Sequence, residues 1–227
     1  MSFVDRFRSE ARAEGERLER REARWPASLA LLGAIALYLF LPQNLTLGPR
    51  WVVPALELGL LIPLTLGSPY RHGEEPKIAR VASIVLTGLV SAANFVTLAL
   101  LLRYMLQGGK ATGVQLAFSA IMIWVTNVVA FGLWYWEFDA GGPAERMTDY
   151  PRGTDFLFPQ LTAHELGKGW VPSFFDYFYV SFTNSTAFSP TDTMPLSVWT
   201  KVLMTLQAGA ALTTVVLVAA RAVNILG

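Results

Sequence analysis

Residues 174–201 read FFDYFYVSFTNSTAFSPTDTMPLSVWTK, and this stretch decides the fold. Its first part, Phe174 to Thr186, is apolar and aromatic but only about 20 Å long as a helix at about 1.5 Å per residue. The hydrocarbon core of a bilayer is about 30 Å thick, so this segment is too short to span it. A polar run follows from Ser185 to Ser197, and then an apolar run over 198–224 that is long enough to cross. Polar backbone at membrane depth is tolerated only where protein buries it or water bathes it. The stretch therefore predicts a re-entrant loop: a pore helix over 174–186, a filter-like segment over 187–192 and an inner helix over 198–224. The plainer alternative is that Asn184 to Asp192 forms only a helix-breaking turn, with Thr191 or Asp192 capping the last helix.

Outward from this stretch, four further apolar runs occupy 26–42, 51–67, 80–104 and 113–136. The first two are just long enough to cross, and Gly48 and Pro49 in the turn between them predict a tight hairpin. The third and fourth cross comfortably, with Gly108, Gly109 and Gly113 at their short link. The fourth ends in Trp134-Tyr135-Trp136, a cluster of the kind found at headgroup depth. Composition agrees: 53% of residues are hydrophobic and 15% charged, where soluble domains carry about 25% charged. The expected class is all-α and integral to the membrane, with about five transmembrane helices plus the re-entrant pore helix and filter-like loop. Its organisation is a charged leader over 1–25, a three-helix membrane region over 26–104 and a pore-like module over 113–224.

The leader mixes seven arginines with acids and places Val4, Phe7, Ala11 and Leu18 on one stripe, which predicts an amphipathic helix. Such a helix lies on the membrane, packs against neighbouring subunits, or is simply solvated. Residues 137–172 are polar and rich in Gly and Pro, with Asp139, Asp149 and Asp155. Phe156, Leu157 and Phe158 within them argue for an ordered extramembrane loop. The net charge of +1 sets up no field for nucleic acid, and none is expected as a partner. The absence of cysteine excludes disulfides and thiolate chemistry.

Residues 175–201 resemble, without a gap, the pore module of the tetrameric potassium-channel superfamily. Phe175-Asp176 stands where an aromatic-Asp pair opens that family's pore helix, Ser181 at its middle and Thr186 at the entry to the filter. Asp192 stands at the acid after the filter, and Pro195, Trp199 and Lys201 match the D-x-x-P-x-x-x-W-x-[R/K] run into the inner helix. With the inner helix included, the resemblance covers about a quarter of the chain. It implies a homotetramer around one axis, with the outer helix at 113–136. The family's inner-helix hinge falls at Ala211 here, two positions after Gly209, the glycine available to bend that helix. Other stretches, such as Leu45 to Trp51 and Tyr179 to Asn184, resemble uncharacterised bacterial membrane proteins, which implies a bacterial inner membrane.

The filter departs from the family. Where V-G-Y-G is usual, this chain has Phe188-Ser189-Pro190-Thr191. Potassium filters aim successive carbonyls at the ion by placing glycines at positive φ. Left-handed geometry costs a serine or threonine about 1–2 kcal/mol, and Pro190 is locked near −65°. The expectation is a channel-like protein that is not potassium-selective. Its constriction would be lined by Thr183, Asn184, Ser185, Thr186, Ala187, Phe188, Ser189, Pro190, Thr191 and Asp192. Hydroxyls, amides and a ring of Asp192 favour hydrated inorganic cations weakly, whereas a ring of Phe188 closes the path.

Elsewhere, Glu57 lies within the second apolar run between Pro54 and Pro63. An intramembrane carboxylate is either a proton or cation site or a neutral, hydrogen-bonded acid. Asn94 and Asn127 read as interhelical hydrogen-bond partners, and Arg221 as a residue that snorkels to the interface. His164 beside Glu165 has no metal-ligand spacing. No catalytic motif is present, so no enzyme and no cofactor is expected. The second functional reading is a small transporter or non-conducting scaffold using Glu57.

Positive-inside counting puts the leader in the cytoplasm, together with the loop carrying Arg71, Lys77 and Arg80. The pore loop then enters from the cytoplasm, the reverse of potassium channels. Three arrangements reconcile the two: an inverted pore as in ionotropic glutamate receptors, a translocated leader, or one short early helix that does not cross.

Overall fold

The computed structural model describes residues 25–42, 49, 51–66, 77–108, 112–146, 153–162, 170–186 and 192–226. They are predominantly helical. Four helices come first: α1 (Trp25–Leu39), α2 (Val52–Leu66), α3 (Lys77–Leu106) and α4 (Gly113–Phe138). Two single turns follow, α5 (Pro143–Arg146) and α6 (Pro159–Thr162), then α7 (Phe174–Ser185) and α8 (Val198–Leu226). Two-residue strands β1 (Phe156–Leu157) and β2 (Met194–Pro195) pair antiparallel, Phe156 opposite Pro195 and Leu157 opposite Met194.

Among the described residues, three helical segments are long and apolar enough to cross a membrane: Arg80–Leu106, Gly113–Gly141 and Val198–Ala220. The described parts of α1 and α2 have 15 residues each, about 22 Å, and overlap the 17-residue runs 26–42 and 51–67. Proline sits near one end of each. Pro42 biases Leu41 away from helical geometry, so α1 stops at Leu39. Pro54 sits in the first turn of α2, where its missing N–H costs nothing.

Helix α4 is the hub, packing against α1, α3, α7 and α8. It is apolar all round, and from Val128 to Leu133 every residue is buried. Small residues let neighbours approach its backbone, as is usual between membrane helices. A Cβ at Gly132 would lie 3.2 Å from the Cα of Phe178. Its N-terminus is closed by a reciprocal cap: Gln115 N–H donates to the Thr112 hydroxyl, and Thr112 N–H donates to the Gln115 side chain.

Helix α7 runs antiparallel to α4 along only part of its length. Phe174 meets Trp136 edge-on at 6.1 Å, Phe178 lies over Gly132, and the Ser181 hydroxyl donates to Val128 O at 2.6 Å. Its last turn reaches Trp124, whose indole N–H donates to Ser185 O at 3.3 Å. Helix α8 then begins back at the other end of α4, where Leu196 N–H donates to Asp155 O at 2.8 Å. The buried face of α7 is Phe174, Tyr177, Val180, Ser181 and Ser185, a helical stripe. Phe175, Tyr179 and Phe182 are left outward.

The aromatic cluster at the end of α4 is packed largely into the protein. Tyr135 and Trp136 are core residues, and the Trp134 indole donates to Ser91 at 2.8 Å. Tyr135 and Trp136 are covered because α7 and the 153–158 segment fold over them, Phe156 on Tyr135 and Phe174 on Trp136, while Trp134 stacks on the exposed Phe138.

Close approach at Gly132 has a measurable consequence. Gly132→Leu should push α7 off α4 and cost about 1–3 kcal/mol, seen as a lower midpoint in thermal unfolding in detergent. Gly33→Leu, where a side chain meets open space, should leave the midpoint nearly unchanged. Equal midpoints for the two variants would contradict the packing.

Candidate functional site

A dense buried polar cluster lies at the C-terminal end of α7, and Gln207 of α8 is its centre. The Gln207 amide nitrogen donates to Ser181 O at 2.9 Å, to the Ser181 hydroxyl at 2.6 Å and to the Ser185 hydroxyl at 2.7 Å. Its carbonyl oxygen accepts from the Tyr135 hydroxyl and from Asn184 at 2.8 Å. Asn184 also donates to Met204 O at 2.9 Å, and Asn127 donates to Gln207 O at 3.3 Å. Gln207 and Tyr135 are fully buried, so water does not compete for these bonds. One side chain thus ties α4, α7 and α8 together.

A second cluster closes the other end of α7. Asp139 is buried just past α4, and one carboxylate oxygen accepts from Asp155 N–H at 2.7 Å, Phe156 N–H at 3.1 Å and the Thr154 hydroxyl at 3.3 Å. The other accepts from the Tyr177 hydroxyl. In return, Ala140 N–H donates to the Asp155 side chain at 3.3 Å. Arg146 donates to Trp136 O at 2.7 Å and Asp139 O at 2.8 Å, satisfying carbonyls that the end of α4 leaves open. Its guanidinium also lies 5.0 Å from the Tyr177 ring centroid. The turn between α4 and α5 needs Gly142, whose φ is +102° and whose Cβ would come 2.9 Å from Glu137 O.

The residues expected to line a constriction divide at Thr186. Ser185 is buried, and Thr183, Asn184 and Thr186 are half-buried at the end of α7. Ala187, Phe188, Ser189, Pro190 and Thr191 lie outside the described residues, as do His164 and Asp149. Asp192 is exposed. Asp176 accepts from both the N–H and the hydroxyl of Ser173 and so closes the start of α7. Pro195 is in β2, while Trp199 and Lys201 are exposed on the first turn of α8. A Cβ at Gly209 meets open space. Glu57 stands apart on α2 and is 2% exposed.

No family model, curated protein or solved structure matches the chain.

Gln207→Leu should leave the Tyr135 hydroxyl and Ser181 without their partner, at a cost of about 1–3 kcal/mol. Adding Tyr135→Phe should cost less in that background than in the wild type. Strictly additive losses in thermal unfolding would contradict the bond. At the other cluster, Asp139→Ala should speed amide hydrogen exchange at Asp155 and Phe156. Unchanged exchange there would show that the carboxylate does not hold the segment.

Proposed function

We propose that the chain is a channel-like membrane pore protein of the bacterial inner membrane. In this reading five helices cross, with α1 and α2 completing their spans through flanking residues. Helix α7 is a re-entrant pore helix, residues 187–192 form an atypical filter, and four copies surround a common axis. The observation that carries the reading is the partial descent of α7 from the Trp136 level to the Trp124 level of α4, with α8 beginning back at the Asp155 level. A chain that enters by a helix of about 18 Å and leaves at the same end is the arrangement that a pore loop requires.

Chemistry at the end of α7 supports it further. Thr183, Asn184 and Thr186 are half-buried at the end of α7, and their side chains bond within the chain: Thr183 to Tyr179 O and Val180 O, Thr186 to Thr183 O, Asn184 to Met204 O. The polar surface they leave open fits an axis shared with neighbouring copies better than lipid, which offers no hydrogen bonds. Helix α8 is the least enclosed of the three long apolar helices, and with Phe175, Tyr179 and Phe182 of α7 it offers apolar surface for those copies. Without the glycines of a potassium filter, Phe188-Ser189-Pro190-Thr191 has no stack of carbonyl rings. Discrimination among cations is therefore weak, or Phe188 shuts the path. No chemical step is assigned to the chain. A transporter or scaffold is the second reading, favoured by one observation, the buried Glu57.

Ion flux from liposomes holding the purified protein tests this. Under potassium, sodium and chloride gradients, the wild type should pass cations over chloride with little choice between potassium and sodium, or be silent. Phe188→Gly should raise the flux or change its selectivity. Silence of both proteins, when a known channel reconstituted alongside conducts, would overturn the channel reading.

A further inference from the structure

Glu57 is treated unlike the other buried polar side chains described above. It lies in the apolar α2 and is 2% exposed, and among the described residues no hydrogen-bond or ion-pair partner meets its carboxyl. Helix α2 packs against α1 and α3. Val53, one turn before Glu57, packs into a cluster with Tyr38, Leu41 and Ala93. Leu58, next to Glu57, packs against the cluster holding Leu31, Ile35, Leu86 and Val90. The surroundings are apolar on both sides.

Charge balance there is readable. Helix α1 has no charged residue, and its one titratable side chain is Tyr38. Helix α3 has no acid, and its titratable positions are Lys77, Arg80, Arg103 and Tyr104. The Arg80 guanidinium lies elsewhere, 3.5 Å from where a Gly142 Cβ would be at the end of α4. Arg103 is about 20 Å along α3 from Val90. Among the described residues no cation is at hand to hold a carboxylate, and an unpaired buried carboxylate is costly enough that the group takes up a proton instead. An alkali cation is a poor occupant, because it needs several oxygens. Among the described side chains packed on Val53 and Leu58 that are named above, the Tyr38 hydroxyl is the one oxygen besides the two of Glu57. A proton needs one.

We propose that Glu57 is an exchangeable proton-binding site inside the helical membrane region, with the proton and not an alkali cation as its ligand. The step is simple: the carboxylate takes a proton from water to become the neutral acid and returns it when the pH rises. The site does not rest on the channel reading, since neither α7 nor the filter-like segment takes part. It serves equally a pore protein that senses pH and a transporter that moves protons.

Infrared spectroscopy of the reconstituted full chain tests it without any flux assay. At neutral pH the wild type should show a protonated-carboxyl C=O band that shifts in D2O and is missing in Glu57→Gln. Should that variant not be recovered folded, Glu57→Asp should move the band rather than remove it. The band should fade as the medium is made alkaline, return on acidification, and ignore added sodium or potassium at fixed pH. No such band at neutral pH, or one that persists in Glu57→Gln, overturns the proposal. A band that never fades makes Glu57 a permanently neutral packing residue and overturns exchange. Loss of the band on adding sodium at constant pH overturns the proton as the ligand.

Discussion

One carboxamide holds the C-terminal third together. Gln207 sits about 14 Å into α8 at about 1.5 Å per residue, and its nitrogen and oxygen are both engaged by α7 and α4. In hydrocarbon there is no water to replace a lost partner, so a polar side chain at this depth fixes the register of the helix that carries it. A shift of α8 by one residue would turn the amide about 100° from Ser181 and Tyr135 and present an apolar side chain to them. The end of α7 is thereby set against both spanning helices. The Asp139 cluster does the same for the return of the chain: Asp155, held by Asp139, receives Leu196 just before α8. Thr186 and Asp192, the residues on either side of 187–191, are placed by these two clusters.

How much of this was legible in the sequence follows from the kind of signal each feature leaves. Helices α3, α4 and α8 are long apolar runs, and hydropathy alone finds them. The shortness of α7 was equally plain, because 13 apolar residues followed by polar ones admit few arrangements in a membrane. Gln207 left no such mark. One glutamine within a long apolar run carries no periodicity, and its partners lie 22 to 80 residues away. The burial of Tyr135 left no mark for a related reason: an aromatic cluster near a polar loop has the same composition whether it faces outward or meets a folded cap. Phe156 and Phe158 were the clue that a cap existed, and they pack on Tyr135 and Tyr177. Asn127 is the intermediate case, since an asparagine in a membrane helix announces a hydrogen bond without naming its partner.

The short first pair bears on the orientation problem. Helices α1 and α2, at 15 residues each, are the two whose crossing needs help from flanking chain or a locally thinner bilayer. If both cross, or neither does, the end of α4 that carries Asp139 stays on the side of the leader. If only one crosses, that end moves to the opposite face, where a potassium channel has its pore loop. The burial of Ala27, Leu31, Ala34 and Ile35 against the main core favours treating α1 as a full member of the bundle. The parity question therefore falls on α2, the helix that carries Glu57.

Polar groups inside this molecule fall into two kinds, and the difference separates structural from chemical roles. The Gln207 and Asp139 clusters are dense in partners, joining helices at fixed points where every added bond makes a change of protonation or position harder. Such groups hold geometry. Glu57 has apolar neighbours and no described partner, so little besides its own solvation opposes gain or loss of a proton. Glutamine would pack there much as a permanently neutral acid does, so what an acid adds at that place is a proton that can come and go.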